Sequence, residues 1–323
     1  RAASNRADPL EEFMKKLCVL VVLLCATAGL AMPIASSARS MVQAEVQQLI
    51  GVDYRALKDS PTAQQLKDQV LPPELKSFEA SLKGVGIDGE RDLETLDFIS
   101  FRTPKVGIQT VCVAQGSFSA KAVLKKFKLK KITATKYLTV PVYPMDSGFV
   151  MTFLDDNTLA FGTEPALRSA IDAQQGKRAS LDSNPQISDQ MAAVDGAPVW
   201  SVLDQEGTQA MMRSALGDAA SKVADYDTVK KRIIASRYTM SFQSGVDFDL
   251  SVVTADSMTA GTLSSLLKAG IMLKKMGASP TEKTALDATT VDFDGSNLML
   301  HFKTDDQKFQ ALMKSPLFAA VSH

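Results

Sequence analysis

The stretch Leu49-Ile50-Gly51-Val52-Asp53 is an apolar run that ends at an acidic residue, and the pattern returns at Trp200-Ser201-Val202-Leu203-Asp204. A short apolar run with a polar stop is typical of a buried β-strand. Helix and strand patterns then follow each run in the same order, and such repetition indicates that one structural unit occurs twice. The two runs therefore predict the first strands of two related modules.

Each module is predicted to continue with helices, a hairpin, another helix, two strands and a closing helix. Apolar residues alternate in residues 96–102 and 106–114 of the first module, and in residues 238–243 and 246–254 of the second. Alternation of this kind favours half-buried antiparallel strands. The sequence thus predicts an α+β fold of two tandem related modules, each an antiparallel sheet with helices mainly on one face. The boundary is placed near Pro198, giving modules at residues 39–197 and 198–323.

The N-terminal region has the layout of a secretory signal. Translation is predicted to begin at Met14, which makes residues 1–13 an upstream extension. Lys15 and Lys16 supply a basic start, and residues 17–24 are an unbroken apolar run. We therefore expect an exported protein, periplasmic or secreted, that contacts the membrane only through this segment before cleavage.

The preferred cleavage site follows Ala38, so that residues 14–38 form the signal peptide; cleavage after Ala28 or Ala31 is the alternative. An uncleaved anchor is a competing interpretation, because apolar character extends to Ala35. Gly29 and Pro33 interrupt that segment and favour cleavage.

Composition excludes several classes of function. The 36 basic and 36 acidic residues balance, so a protein that binds nucleic acid through its overall charge is disfavoured. Two of the three cysteines lie in the signal, which leaves Cys112 alone and without an intramolecular disulfide. The mature fold must therefore be stabilised by its apolar core.

A resemblance rests on the run Phe161-Gly162-Thr163-Glu164-Pro165-Ala166-Leu167, on the Gly176 loop, and on the strand that ends at Asp204. With the duplicated layout, these features resemble uncharacterised exported bacterial proteins of the domain-of-unknown-function type. The resemblance implies an exported location and a duplicated architecture. It implies no catalytic residue.

Few residues offer catalytic chemistry. The two histidines are His301, inside a predicted strand, and His323, so neither a Ser/His/Asp arrangement nor a His-rich zinc site is predicted. Cys112 is interpreted as a core residue because it stands between two valines. Residues 292–297 are similar to a calcium loop, but the twelfth position is Lys303 where a bidentate Glu is required, which favours a hairpin turn. No catalytic residue, metal site or cofactor is predicted.

One charge pattern stands out. No acidic residue occurs between Asp97 and Asp146, while lysines are dense in the helix predicted after the first hairpin and just beyond it. Lys121, Lys125 and Lys128 share a helix face, so they are expected to form an exposed ridge. The candidate ligand-binding lysines are Lys121, Lys125, Lys126, Lys128, Lys130 and Lys131. Their expected partner is an anionic envelope component, either lipid or cell-wall polymer.

The preferred hypothesis is a non-enzymatic envelope protein that binds another component through its surface. One alternative is a carboxylate- or metal-dependent enzyme in which Asp53 and Asp204 face a shared cleft. The other is a carrier of an apolar ligand held between the sheet and its helices. Methionines at helical spacing indicate this alternative, namely Met211, Met212, Met272 and Met276.

Overall fold

Strands β1 (Val46–Asp53) and β8 (Val199–Leu203) contain the two apolar runs and pair antiparallel with each other at the middle of one sheet. The register places Gly51 opposite Trp200. A Cβ atom at Gly51 would lie 2.3 Å from atoms of the Trp200 indole, so this close approach requires glycine. Trp200 is 2% exposed and belongs to the main core.

The computed structural model describes residue 34 and residues 36–70, 73–103, 107–145, 148–216, 226–315 and 318. The predicted signal peptide lies mostly outside these residues, as does His323. Among the described residues, no helix combines the length and apolar character that crossing a bilayer needs.

The sheet has twelve strands in the order β11-β12-β10-β9-β8-β1-β2-β3-β7-β6-β5-β4, and neighbouring strands pair antiparallel. The other strands before Pro198 are β2 (Leu93–Thr103), β3 (Gly107–Gly116), β4 (Thr135–Tyr137), β5 (Val140–Pro144), β6 (Val150–Phe153) and β7 (Thr158–Gly162). Those after β8 are β9 (Ile233–Ser241), β10 (Val246–Thr254), β11 (Thr289–Asp294) and β12 (Asn297–Thr304). A large antiparallel sheet in an α+β fold was predicted. The short pair β4 and β5 was not.

Helices occupy most of the connections. Before Pro198 they are α1 (Ser36–Arg39), α2 (Tyr54–Lys58), α3 (Pro61–Val70), α4 (Pro73–Gly84), α5 (Gly89–Asp92), α6 (Ala120–Leu129), α7 (Glu164–Gln174) and α8 (Pro185–Ala192). After it they are α9 (Gln205–Leu216), α10 (Tyr226–Lys231), α11 (Ser257–Gly277), α12 (Pro280–Asp287) and α13 (Asp306–Met313). Ser60 caps α3 by accepting a hydrogen bond from the Ala63 amide at 3.2 Å, as its sequence indicates.

The sheet has two faces, which we define by residues of β1 and β2. The first face carries Leu49 and Ile99, and the second carries Ile50 and Phe98. Before Pro198 both faces are covered: α7 and α8 pack on the first face, whereas α4 and α6 pack on the second. The expectation of helices mainly on one face is therefore wrong for this half.

Both faces of the sheet are covered before Pro198 because of β3, in which four consecutive residues from Val111 to Ala114 are buried. Successive side chains of a strand point to opposite faces, so a continuous apolar run needs cover on both sides. In β10 the apolar residues instead fall on the second face, where Val252 packs against Leu263 of α11. The first face of that strand carries Asp247 and Asp249.

Two separate sheets were also expected, and the pairing of β1 with β8 joins them into one. Residues on both sides of Pro198 therefore contribute to a single sheet. Helix α13 reaches back across this junction, where Phe309 and Met313 pack with Ala63 of α3 and Gln310 donates a hydrogen bond to Thr62 at 3.1 Å.

A buried carboxyl group lies in the first-face core. Asp97 of β2 stands between Gly51 and Val113 in the register and is 4% exposed. Burial raises the pKa of Asp97 to about 7, because the charged form loses its hydration. This folded-state pKa is higher than that of the unfolded chain. Folding therefore favours the protonated form, and stability falls as pH rises from about 4 to about 7.

We expect Asp97→Asn to remove most of this pH dependence, because the amide keeps the shape of the carboxyl and stays neutral. At about pH 8 the variant should be more stable than the wild type by up to about 4 kcal/mol, with similar free energies of unfolding at about pH 4. Urea unfolding at both pH values measures this, with the exposed Asp59→Asn as control. A variant less stable than the wild type at about pH 8 would contradict the assignment.

Candidate functional site

A cavity of about 640 Å³ lies between the second face of the central strands and helices α2, α3 and α4. Its floor comes from both sides of the β1–β8 junction, with Ile50 and Val52 from β1, Val199 from β8, and Met240 from β9. Ligand-binding sites typically have volumes of about 300–1,000 Å³ and mainly apolar walls. The cavity therefore has the size and character of such a site.

Burial along β1 and β2 shows that the covering helices do not close on the sheet here. On the first face Leu49 and Ile99 are buried, whereas Ile50, Leu96 and Phe98 on the second face stay half-exposed. Central strands with helices on both sides would ordinarily be buried on both faces. The half-exposed side chains mark the cavity floor.

Aromatic rings form one side of the cavity. Phe78 of α4 stacks on Phe161 of β7 with ring centroids 4.0 Å apart, and Phe149 lies 5.7 Å from Phe78. The helices contribute further aliphatic side chains, which are Leu57, Leu66, Leu75 and Leu82. These walls suit an apolar chain rather than a polar solute.

A cation lies at the wall formed by α3. Lys67 donates a hydrogen bond from Nζ to the Tyr54 hydroxyl at 2.9 Å, and its Nζ lies 4.0 Å from a Glu79 carboxylate oxygen. All three residues line the cavity. Burial alone would lower the pKa of Lys67, but the bond to Tyr54 and nearby acidic groups, including Glu79, raise it. Lys67 is therefore held charged beside an apolar space.

Cys112 also lines the cavity floor, and it is buried as the sequence predicts. Burial and, to a smaller degree, the neighbouring Asp97 charge raise the pKa of its thiol. A thiol in this setting is a poor nucleophile, since the thiolate is the reactive form.

The predicted acidic pair does not form a cleft. The Asp53 carboxylate accepts a hydrogen bond from the Ala56 amide at 3.1 Å, and the Asp204 carboxylate accepts one from Gly207 at 2.7 Å. Each thus caps the helix that follows its strand. Asp204 is hydrogen-bonded through its amide to Gln47, at the far end of β1, so strand rise separates the two aspartates by about 20 Å. The hypothesis of a shared catalytic cleft is wrong for this reason.

The predicted lysine ridge is exposed. Helix α6 buries Val123 and Phe127, and its lysines point away from the sheet. Within the described part of the chain, none of the six candidate lysines forms an ion pair. Leu129 stands among them and is 78% exposed. The exposed residues are Lys121, Lys125, Lys126, Lys128, Lys130 and Lys131.

The methionines that suggested an apolar carrier do not line the cavity. Met212 is a buried residue of α9, and Met211 packs against the same apolar cluster as Met212. Met272 and Met276 are both exposed. The cavity lies instead over β1 and β2, where the lining comes from aliphatic and aromatic residues.

The sequence did not predict the cluster of Asp247, Asp249 and His301, whose potential ligand atoms lie within 4.8 Å of one another. The His301 Nδ1 atom is 2.9 Å from Asp249, while Lys303 donates a hydrogen bond to Asp247 at 2.7 Å. The pairing of β10 with β12 brings these residues together. They are far apart along the chain, so the sequence alone does not indicate that they meet. Because Lys303 already neutralises Asp247, the cluster is explained by surface ion pairs.

Comparisons with known proteins add little. No protein-family model matches the sequence, and a search of curated proteins finds no match either. Among solved structures, TP0453 in its crystal form I is similar with a TM-score of 0.48 and 7% identity, over 87% of this chain and 98% of that chain. A likeness at this level supports no conclusion about the present chain.

Proposed function

We propose that this protein is an exported, non-enzymatic binding protein that holds an apolar chain in the cavity between the sheet and helices α2–α4. The observation that carries the proposal is the cavity itself, whose floor is formed by strands that the helices leave half-exposed. Burying an acyl chain there contributes about 0.8 kcal/mol for each methylene group removed from water. A chain of moderate length would therefore bind without any specific polar contact.

The ligand class is narrowed by Lys67. A charged ammonium group beside a mainly apolar cavity favours a ligand with an anionic head and a single apolar tail, such as a long-chain carboxylic acid. The Lys67 Nζ donates one hydrogen bond to Tyr54 and keeps other donors for a carboxylate. The Glu79 carboxylate would repel a second anionic group on the ligand, which favours a ligand of low charge.

The test is calorimetric titration with hexadecanoate and with hexadecanol. We expect Ile50→Trp to weaken binding of both by about tenfold or more, because the larger side chain occupies the cavity floor. Lys67→Met should weaken only the acid and so remove the preference for it over the alcohol.

Met258→Trp is the matched control, since Met258 is 78% exposed on α11 and lies outside the cavity lining. It should bind both ligands as the wild type does, and thermal unfolding should show that all variants fold. If Ile50→Trp retained wild-type affinity, or if the wild type bound neither ligand, the proposal would fail.

Export is supported by the N-terminal layout. Ile34 and Ala38 are buried in the core beside Met41 and Val42, so cleavage after Ala38 would remove two core side chains. We therefore propose cleavage after Ala28 or Ala31 rather than after Ala38.

N-terminal sequencing of the protein recovered from the periplasm of a Gram-negative expression host checks this placement. The expected first residue lies before Ile34. Recovery of the uncleaved chain from the cytoplasm alone would contradict export.

We also infer that the two halves descend from one module. Counted outward from the junction, the strand orders β1-β2-β3-β7-β6 and β8-β9-β10-β12-β11 correspond in chain position, and a helix follows the hairpin in each half. The β4–β5 pair is an addition to the first copy in this scheme.

The second candidate function is binding of an anionic envelope component by the lysine ridge. It is favoured by the exposure of the six lysines and by their lack of ion pairs with described residues. Lipid phosphates and cell-wall polymers both carry the anionic groups that such a surface attracts.

Co-sedimentation with cell-wall polymer and with anionic vesicles tests this candidate. Lys125→Glu plus Lys128→Glu should abolish salt-sensitive retention, whereas Lys308→Glu plus Lys314→Glu reverses as many exposed charges on α13 and directly after it and should not. If both double variants lost retention equally, binding would depend on the overall charge and not on the lysine ridge. If the wild type is retained by only one of the two materials, polymer or vesicles, that material identifies the partner.

A further inference from the structure

Helix α11 carries two apolar stripes. The first consists of Ala260, Leu263 and Leu267, which are buried on the second face of the sheet. These residues pack with Val252 of β10 and Leu298 of β12 and account for how the helix is attached.

The second stripe is Ala269, Met272, Leu273 and Met276, with the spacing i, i+3, i+4, i+7 of one helix face. At about 100° per residue, its centre lies about 180° from Leu267 and so points away from the sheet. Met272 is 70% exposed, Leu273 60% and Met276 77%. This stripe makes no contribution to the core.

The space around this part of α11 is open. A Cβ atom added at Gly270 or Gly277 would meet no heavy atom of the described residues within 4 Å. The helix has no acidic residue, and Lys268 and Lys275 lie along one edge of the stripe, whereas Lys274 lies on the opposite side of the helix. Lys275 pairs with Asp287 at 2.6 Å, whereas Lys268 and Lys274 form no ion pair with any described residue.

We propose that the second stripe of α11 docks on the surface of an anionic lipid bilayer. Exposed methionine and leucine side chains with lysines along one edge suit the boundary between acyl chains and anionic headgroups. A second copy of the chain is a poorer occupant, because its α11 offers no acidic residue to pair with Lys268, whereas anionic headgroups do. The docking surface is independent of the cavity and goes beyond the proposed ligand binding.

Vesicle flotation tests the proposal, with vesicles of phosphatidylglycerol and phosphatidylethanolamine against vesicles of phosphatidylcholine alone. The triple variant Met272→Gln, Leu273→Gln, Met276→Gln keeps good helix formers while removing the stripe. We expect it to bind the anionic vesicles at least about tenfold more weakly than the wild type. The wild type should bind the phosphatidylcholine vesicles more weakly than the anionic ones.

Ile108→Gln plus Met299→Gln is the control, because it removes exposed apolar side chains that lie on β3 and β12 rather than on α11. It should float as the wild type does, and the triple variant should keep its hexadecanoate affinity in solution. If the triple variant no longer floats but binds hexadecanoate as the wild type does, the result supports docking of α11 on the bilayer, whether or not the cavity proposal holds. Wild-type flotation of the triple variant would overturn the proposal, as would a wild-type dimer in sedimentation velocity that the triple variant abolishes.

Discussion

The pairing of β1 with β8 is the contact on which the rest of the structure depends. The Trp200 indole packs where Gly51 has no side chain, and the flanking strands then continue outward on both sides. Because the register is fixed at this point, Ile50 and Val52 share the second face with Val199 and Met240. The cavity floor therefore includes side chains from both sides of the junction.

The cavity also depends on how its covering helices are held. Helix α3 is anchored from the other half by Phe309 and Met313 of α13, and α4 is anchored through the stacking of Phe78 on Phe161. Because these contacts hold α3 and α4, the two helices can cross above the cavity floor without packing onto it. Lys67 is placed on this span, with Tyr54 and Glu79 fixing its ammonium group. The structure thus combines an apolar interior with one cation at its wall.

Sequence patterns predicted local features well and their assembly poorly. The apolar run 49–53, the two valines beside Cys112 and the lysines of α6 all led to correct statements about strands, burial or exposure. The pairing of β1 with β8 was not predictable, since it depends on Gly51 accommodating Trp200 from a distant part of the chain. Asp53 and Asp204 are candidate catalytic residues from the sequence alone, because a helix cap and a catalytic acid look alike in sequence. Lys67 was overlooked because one lysine in an amphipathic helix carries no signal until its surroundings are known.

The central claim is that the space between the central strands and helices α3 and α4 is a binding site for an anionic apolar chain. A crystal structure of the protein with hexadecanoate tests it most directly. The account predicts an extended chain over Ile50 and Phe98, with its carboxylate within hydrogen-bonding distance of the Lys67 Nζ atom. Helices packed directly onto the strands, with no cavity and no ligand between them, would contradict it.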